Sequence, residues 1–247
     1  MMLPTQVLDH QLELVSIHIP KTGGTSFQQY LVDRYGRGMQ RLDVTITGDS
    51  PPRLKAKNKL PEEVLTRLFS GSSVPSEVRV LHGHFCYGDI RQLIRLDKRP
   101  AIISWLRHPV ERTISNYFYL RSQLDDLIEH RGNSRKLMNR LMRSLPEFAQ
   151  LPRQRQLYQR YLGGLPIEQY DFVGIIEDMD EEIKLLARQM GWPNSRLPHL
   201  NKTRLPKPEI SQKERQSLEE VLQGEIQLYE SALRWRDKGR PKNATNV

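Results

Sequence analysis

Three groups of residues in this chain have types and spacing suited to chemistry. The first is Pro20-Lys21-Thr22-Gly23-Gly24-Thr25-Ser26, directly after the β-branched, apolar run Leu12 to Ile19. A strand, a tight glycine turn and a helix start together form an anion cradle. Unpaired backbone N–H groups face the anion, the helix dipole favours negative charge, and glycine lets the main chain come close. Lys21 adds a point charge, and Thr22, Thr25 and Ser26 add hydroxyl donors. The lysine precedes the glycines, whereas an ATPase-type loop reads G-x-x-x-x-G-K-[ST], so that pattern is not matched. A Gly-Gly turn with a Ser/Thr helix cap is the plain structural alternative. The strand-to-helix placement of all these residues favours a phosphate or sulfate site.

The second group is Arg107 and Ser115. The strand-like run Ala101 to Leu106 ends in Arg107-His108-Pro109, and Ser115 follows in the second turn of a helix. Open α/β sheets bind ligands at the carboxyl ends of their strands. An arginine fork and a hydroxyl near a helix start suit a phosphate dianion. Helical spacing places Ser115 with Glu111, Arg112 and Tyr119, while Tyr117, Phe118 and Tyr119 read as core. The alternative is an arginine paired with a surface carboxylate beside a solvated serine. The third group is His82 and His84 in LHGHFCYG, which share a face if the strand continues. A histidine, with an ordinary pKa near ~6.5, suits removal of a hydroxyl proton. No cysteine or carboxylate stands at ligand spacing from this pair, so no metal is expected. Glu177 and Asp178 are the fallback carboxylates, although that stretch also reads as a helix cap. His18 reads as packed or locally hydrogen-bonded.

The elements that must position these groups alternate. Strands are expected at 12–19, 78–81, 101–106 and 170–175, and helices at about 26–35, 61–69, from 109 to near Gly132, 135–162 with breaks, 179–190 and 211–235. Residues 36–60 read as a long surface connection. Short apolar strands between helices predict an α/β fold around a central, mainly parallel sheet flanked by helices. We expect one domain over 1–236, with a basic helical insertion at about 121–162 and a flexible tail at 237–247.

Composition bounds the partners. The 247 residues carry 38 Lys+Arg against 29 Asp+Glu, a formal charge of +9, which points to anions. Cys86 is the only cysteine, which excludes a disulfide framework. No run approaches the ~18–20 apolar residues of a membrane span, and the first residues lack the pattern of a secretory signal. A cytoplasmic chain is therefore expected, unless this is an excised catalytic domain.

HIPKTGGTSF resembles the 5′-phosphosulfate loop of sulfotransferases that use 3′-phosphoadenosine 5′-phosphosulfate (PAPS), closest to the branch of glycosaminoglycan 2-O- and 6-O-sulfotransferases. LRHPVERTISNYFY resembles that family's 3′-phosphate motif, HGHF the paired histidines of the 2-O branch, and LNKTR at 200–204 a late cofactor loop. The resemblance implies a P-loop-like architecture. It implies Lys21, Thr22, Gly23, Gly24, Thr25 and Ser26 as ligands of the 5′ end, and Arg107 and Ser115 as ligands of the 3′-phosphate. Lys202 and Thr203 would close over that end. It further implies His84 as general base, His82 as a supporting or acceptor-contacting residue, and Lys21 as a stabiliser of developing charge. The implied reaction moves a sulfuryl group from PAPS to a hydroxyl of a saccharide or acidic glycan, releasing PAP, without a metal. Residues 36–60 and 121–160 are the candidate walls of the acceptor cleft. A P-loop-type kinase and a non-catalytic basic module for acidic glycan or nucleic acid are the alternatives. Nucleic acid is not expected, because basic residues are not interleaved with exposed aromatics.

Overall fold

The computed structural model describes residues 12–45, 53–54, 77–93, 98–129, 143–193 and 209–239. Its strands are β1 (Leu14–Ile17), β2 (Met39–Arg41), β3 (Val44–Thr45), β4 (Arg53–Leu54), β5 (Val80–Gly83), β6 (Ala101–Leu106) and β7 (Phe172–Ile175). Five of them form one sheet in the order β2-β5-β1-β6-β7, with every pairing parallel. β3 and β4 pair antiparallel beside it. The helices are α1 (Gly24–Tyr35), α2 (Tyr87–Leu93), α3 (Pro109–Glu129), α4 (Leu145–Ala149), α5 (Pro152–Arg155), α6 (Leu157–Leu162), α7 (Met179–Gln189), α8 (Gln212–Val221) and α9 (Gln223–Gly239). The expected α/β sheet flanked by helices is therefore what forms.

Strand alternation builds two cores. Leu14, Val80, Ile103, Trp105 and Phe172 point to one face, where Phe27 and Leu31 of α1 and Ile183 and Leu186 of α7 cover them. Val15, Ile17, Leu81, Ile102, Leu106 and Val173 point to the other, against Ile90 of α2, Tyr158 of α6 and Tyr229 of α9. Burial on both faces explains why these strands read as continuous apolar runs. A third cluster joins Val110 and Ile114 of α3 to Phe148 of α4 and Leu218 of α8. Two S-x-x-E signatures become capping boxes, Ser144 with Glu147 and Ser211 with Glu214.

Several expectations change. Residues 36–60 are not simply a connection, because β2 adds the edge strand of the sheet. Its three residues bury one apolar anchor, Met39, too few to leave a periodic signal. The helix α2 was also without a strong periodic pattern. The last helix is two, α8 and α9, joined at the fully buried Leu222. Within the stretch expected as an insertion at 121–162, Leu145, Phe148, Leu157, Tyr158, Tyr161 and Leu162 are buried, while Arg121, Arg143, Arg153 and Arg155 are exposed. The expected helix at 61–69 lies outside the described residues.

Gly83 closes β5 where β2 leads into β3. A Cβ there would lie 1.8 Å from the Leu42 carbonyl oxygen, a main-chain atom that cannot swing aside. Gly83→Ala should therefore cost about 1–3 kcal/mol or more, as overpacking does, and lower the melting temperature by roughly 3–10 °C in calorimetry. An unchanged melting temperature would refute this account of the edge.

Candidate active site

β1 and β5 are neighbours, yet α1 leaves β1 on one face of the sheet and α2 leaves β5 on the other. Such a divergence opens a crevice at the carboxyl ends of the strands. The glycine loop, His84 and Arg107 each follow one of three neighbouring strands and emerge at that edge.

The glycine loop follows β1. Lys21 has φ 71° and Gly23 φ 74°, so both sit in the left-handed region. Glycine accepts that conformation freely, whereas a lysine there is held by its surroundings. The Thr22 hydroxyl is fully buried and donates to the Ile19 carbonyl at 2.8 Å. It closes the loop internally, so Thr22 can contribute to a cradle only through its main chain, which corrects its reading as a hydroxyl donor. Gly23 caps α1 without a side-chain hydrogen bond, and the first turn holds no acidic residue. The opening N–H groups of α1 are thus left without a side-chain cap, as an external anion requires. Thr25 is exposed and Ser26 half-buried at this end. Gly24 is required for space: a Cβ would lie 1.8 Å from His18 Nε2.

Three histidine rings stack beside the loop. His18 lies 4.4 Å from His84 and 5.2 Å from His82, centroid to centroid. His82 is inside β5 rather than beyond it, 1% exposed, with Nδ1 2.9 Å from Ser16 Oγ and its ring near Phe27. An acceptor cannot reach it, so only the supporting role suits His82. The strand ends at Gly83 between the two histidines, so strand alternation does not fix their relation; instead both rings stack on His18. His84 is half-buried; its N–H donates to Asp43 Oδ1 at 3.0 Å, and Asp43 is paired with Arg41 at 3.1 Å. His84 Nδ1 lies 2.8 Å from the His18 carbonyl oxygen. A carbonyl only accepts, so Nδ1 carries the proton and the neutral ring keeps its lone pair on Nε2. Burial pushes the His82 pKa down to about 3 and that of His18 well below its ordinary value, with the charge of a protonated His84 acting in the same sense. The rings lie face to face, and among the described residues no group of three or more His, Cys, Asp or Glu side chains is arranged to hold a metal.

Arg107 leaves β6, the other neighbour of β1, where Ile17 pairs with Ser104. Its main chain is clamped by one phenol: the Arg107 N–H donates to Tyr158 Oη at 3.0 Å, and the Tyr158 hydroxyl donates to the Arg107 carbonyl. Glu225 of α9 accepts from the Tyr158 N–H at 2.8 Å. Glu177 accepts from the His108 N–H at 2.9 Å, so this fallback carboxylate holds the turn, while Asp178 begins α7 without a side-chain cap. Ser115 is half-buried on α3. Arg112, expected beside it, is instead fully buried and donates to Gln154 and Thr113. Burial, and then the positive charge of Arg107, lower the Lys21 pKa. Among the described residues neither Lys21 nor Arg107 has a carboxylate partner. Lys202 and Thr203 lie outside the described residues.

The model of a sulfotransferase family matches this chain over residues 6–232. The chain belongs to the sulfotransferase family. It is 28% identical over 119 residues to heparan sulfate 2-O-sulfotransferase 1 of Mus musculus, covering 46% of this chain and 31% of that protein. It thus spans about a third of the length of that relative. Among solved structures, a sulfotransferase from Alicyclobacillus acidocaldarius aligns at a TM-score of 0.49 with 17% identity, over 92% of this chain and 99% of the other. A mouse sulfotransferase complexed with PAP aligns at 0.35 with 11% identity, over 95% and 67%. Family membership rests on the match over 6–232.

Within this sulfotransferase, several supporting residues escaped the sequence reading. Asp43 and Arg41 sit in a stretch read as a connection, and Tyr158 and Glu225 in helices read for charge or periodicity. Asp43, Tyr158 and Glu225 carried no local signal, because each acts on a main chain 41 to 67 positions away, and Arg41 acts through Asp43. The paired glycines next to His18 were the one available hint, since a histidine ring fills the space a side chain at position 24 would need.

His18 and His82 are neutral in the fold, yet protonate near ~6.5 in an unfolded chain. Below that pH the unfolded chain binds more protons, so stability rises with pH across the window. The melting temperature should be level above about pH 7 and fall as pH drops from ~6.5 towards the low folded-state value. His82→Asn should flatten part of that slope. A melting temperature constant between pH 7 and pH 5 would contradict neutral, buried rings.

Proposed function

We propose that this sulfotransferase transfers the sulfuryl group of PAPS to a hydroxyl of a carbohydrate acceptor, releasing PAP, with His84 as general base. One observation carries the reading. The uncapped α1 start with Lys21, and Arg107 beside it, stand at the ends of neighbouring parallel strands without a carboxylate partner among the described residues. A donor with two anionic ends fits two such sites. The main chain of Gly23 and Gly24, the hydroxyls of Thr25 and Ser26, and Lys21 would hold the 5′ end. Arg107 and Ser115 would hold the 3′-phosphate, with Lys202 and Thr203 completing that side. PAPS supplies an activated sulfuryl group, and transfer from it to an alcohol needs positioning and charge stabilisation more than covalent help.

This chain's residues supply both. His84 accepts the acceptor's proton on Nε2, the nitrogen left basic by the hydrogen bond to the His18 carbonyl. Lys21 and the α1 amides stabilise negative charge on the leaving phosphate. His18 and His82, kept neutral by burial, buttress the base without repelling a proton on it. One feature supports an acidic glycan as acceptor: the curated relative is named for heparan sulfate.

Calorimetric titration tests the donor: PAP should bind tightly, and ADP with Mg²⁺ should not. The opposite result would favour the kinase reading. Incubation with ³⁵S-labelled PAPS and a panel of desulfated heparan sulfate, chondroitin and simple phenols then tests the acceptor, with label expected on a glycan. His84→Gln should lower turnover by roughly 10²–10⁴-fold, and Lys21→Ala should add about 2–4 kcal/mol to the barrier. Turnover near wild type in either variant would remove that residue from the mechanism.

A further inference from the structure

Tyr119 is unlike the aromatic residues around it. Tyr117, two positions earlier, is buried against Phe148 and donates its hydroxyl to the Arg143 carbonyl. Tyr119 is 48% exposed, contrary to its reading as core, although a large aromatic ring in solvent gives up burial. The Lys21 ammonium lies over its ring, with Nζ 3.9 Å from the centroid. Tyr119 also stands four residues after Ser115, so the two share a face of α3. The ring therefore links the face that carries Ser115 to the tip of the lysine in the glycine loop.

We propose that Tyr119 is a positioning residue whose ring face holds the Lys21 ammonium in place beside the anion cradle. The inference rests on the donor assignment made above. A lysine side chain is a flexible four-carbon stem with many rotamers, so an unsupported ammonium would sample many positions. The left-handed main chain at Lys21 sets where the side chain starts, and the Tyr119 face sets where it ends. Arg107 is the opposing influence, a like charge that disfavours an ammonium nearby. The negative face of an aromatic ring offsets that repulsion without neutralising the cation, as a carboxylate would. Lys21 thus stays charged and available to an incoming anion. Because the contact uses the ring and not the hydroxyl, phenylalanine should replace tyrosine.

A double-mutant cycle on PAP affinity, measured by calorimetry, tests this. Tyr119→Leu should weaken PAP binding by roughly 3- to 30-fold, the range of a single cation–π contact. In the Lys21→Ala background the same change should have less than about a twofold effect, since the group it positions is gone. Tyr119→Phe should restore affinity relative to Tyr119→Leu. Equal losses in both backgrounds would overturn the proposal, because adenine stacking or a purely structural role would persist without Lys21. Failure of phenylalanine to rescue would overturn it as well. If the wild-type chain bound no PAP, the donor assignment would fall and this inference with it, whereas PAP binding with additive losses would defeat this inference alone.

Discussion

The parallel pairing of β1 with β5 on one side and β6 on the other is the constraint on which the site depends. Parallel neighbours place their carboxyl ends at the same edge, and the register sets Ile17 opposite both Gly83 and Ser104. The chain segments that leave these strands therefore emerge side by side. One carries Lys21 and the glycines, one His84, and one Arg107. The three are separated by up to 86 positions in sequence, yet they fall within one crevice because three short strands are in step. β1 has only four residues, of which Ser16 meets the His82 ring, and the strand fixes where its neighbours end.

Two opposite electrostatic solutions sit next to each other at that edge. On the β6 side, positive charge is gathered and left without carboxylates among the described residues, which leaves an anion as the natural partner. On the β5 side, charge is suppressed. Burial holds His82 and His18 neutral, and the His18 carbonyl fixes the tautomer of His84. A ring flanked by two cationic imidazoliums would lose proton affinity, so the neutrality of the inner rings favours the base role proposed for the outer one. Asp43 and Arg41 add a restraint from β2, anchoring the His84 main chain.

The Arg107 side shows how much of the molecule is devoted to holding a few atoms still. One phenol, Tyr158, contacts both the N–H and the carbonyl of Arg107, and its own main chain is held by a buried carboxylate on α9. Glu177, in the turn that follows β7, restrains the next residue. Helices rich in arginine, which composition alone would assign to a solvated surface, thus present their apolar and phenolic faces inward. Their charges decorate the outside of a structural layer.

By itself the sequence determined the strand–glycine–helix segment at 14–35, the strand ending in Arg107, the parallel α/β class and the family motifs that identify the chain as a sulfotransferase. Each of these is a local pattern, written in contiguous residues whose periodicity and turn chemistry need no distant partner. Tertiary structure alone decided that His82 is interior while His84 is at the crevice. It also turned the Thr22 hydroxyl inward, made Glu177 a main-chain anchor and placed Tyr119 against Lys21. Those outcomes depend on which strand ends where, and on which buried group lies across a contact of 40 or more positions, as with His84 and Asp43. Residue type sets what each side chain can do. The sheet register decides which of them reach the same few ångströms.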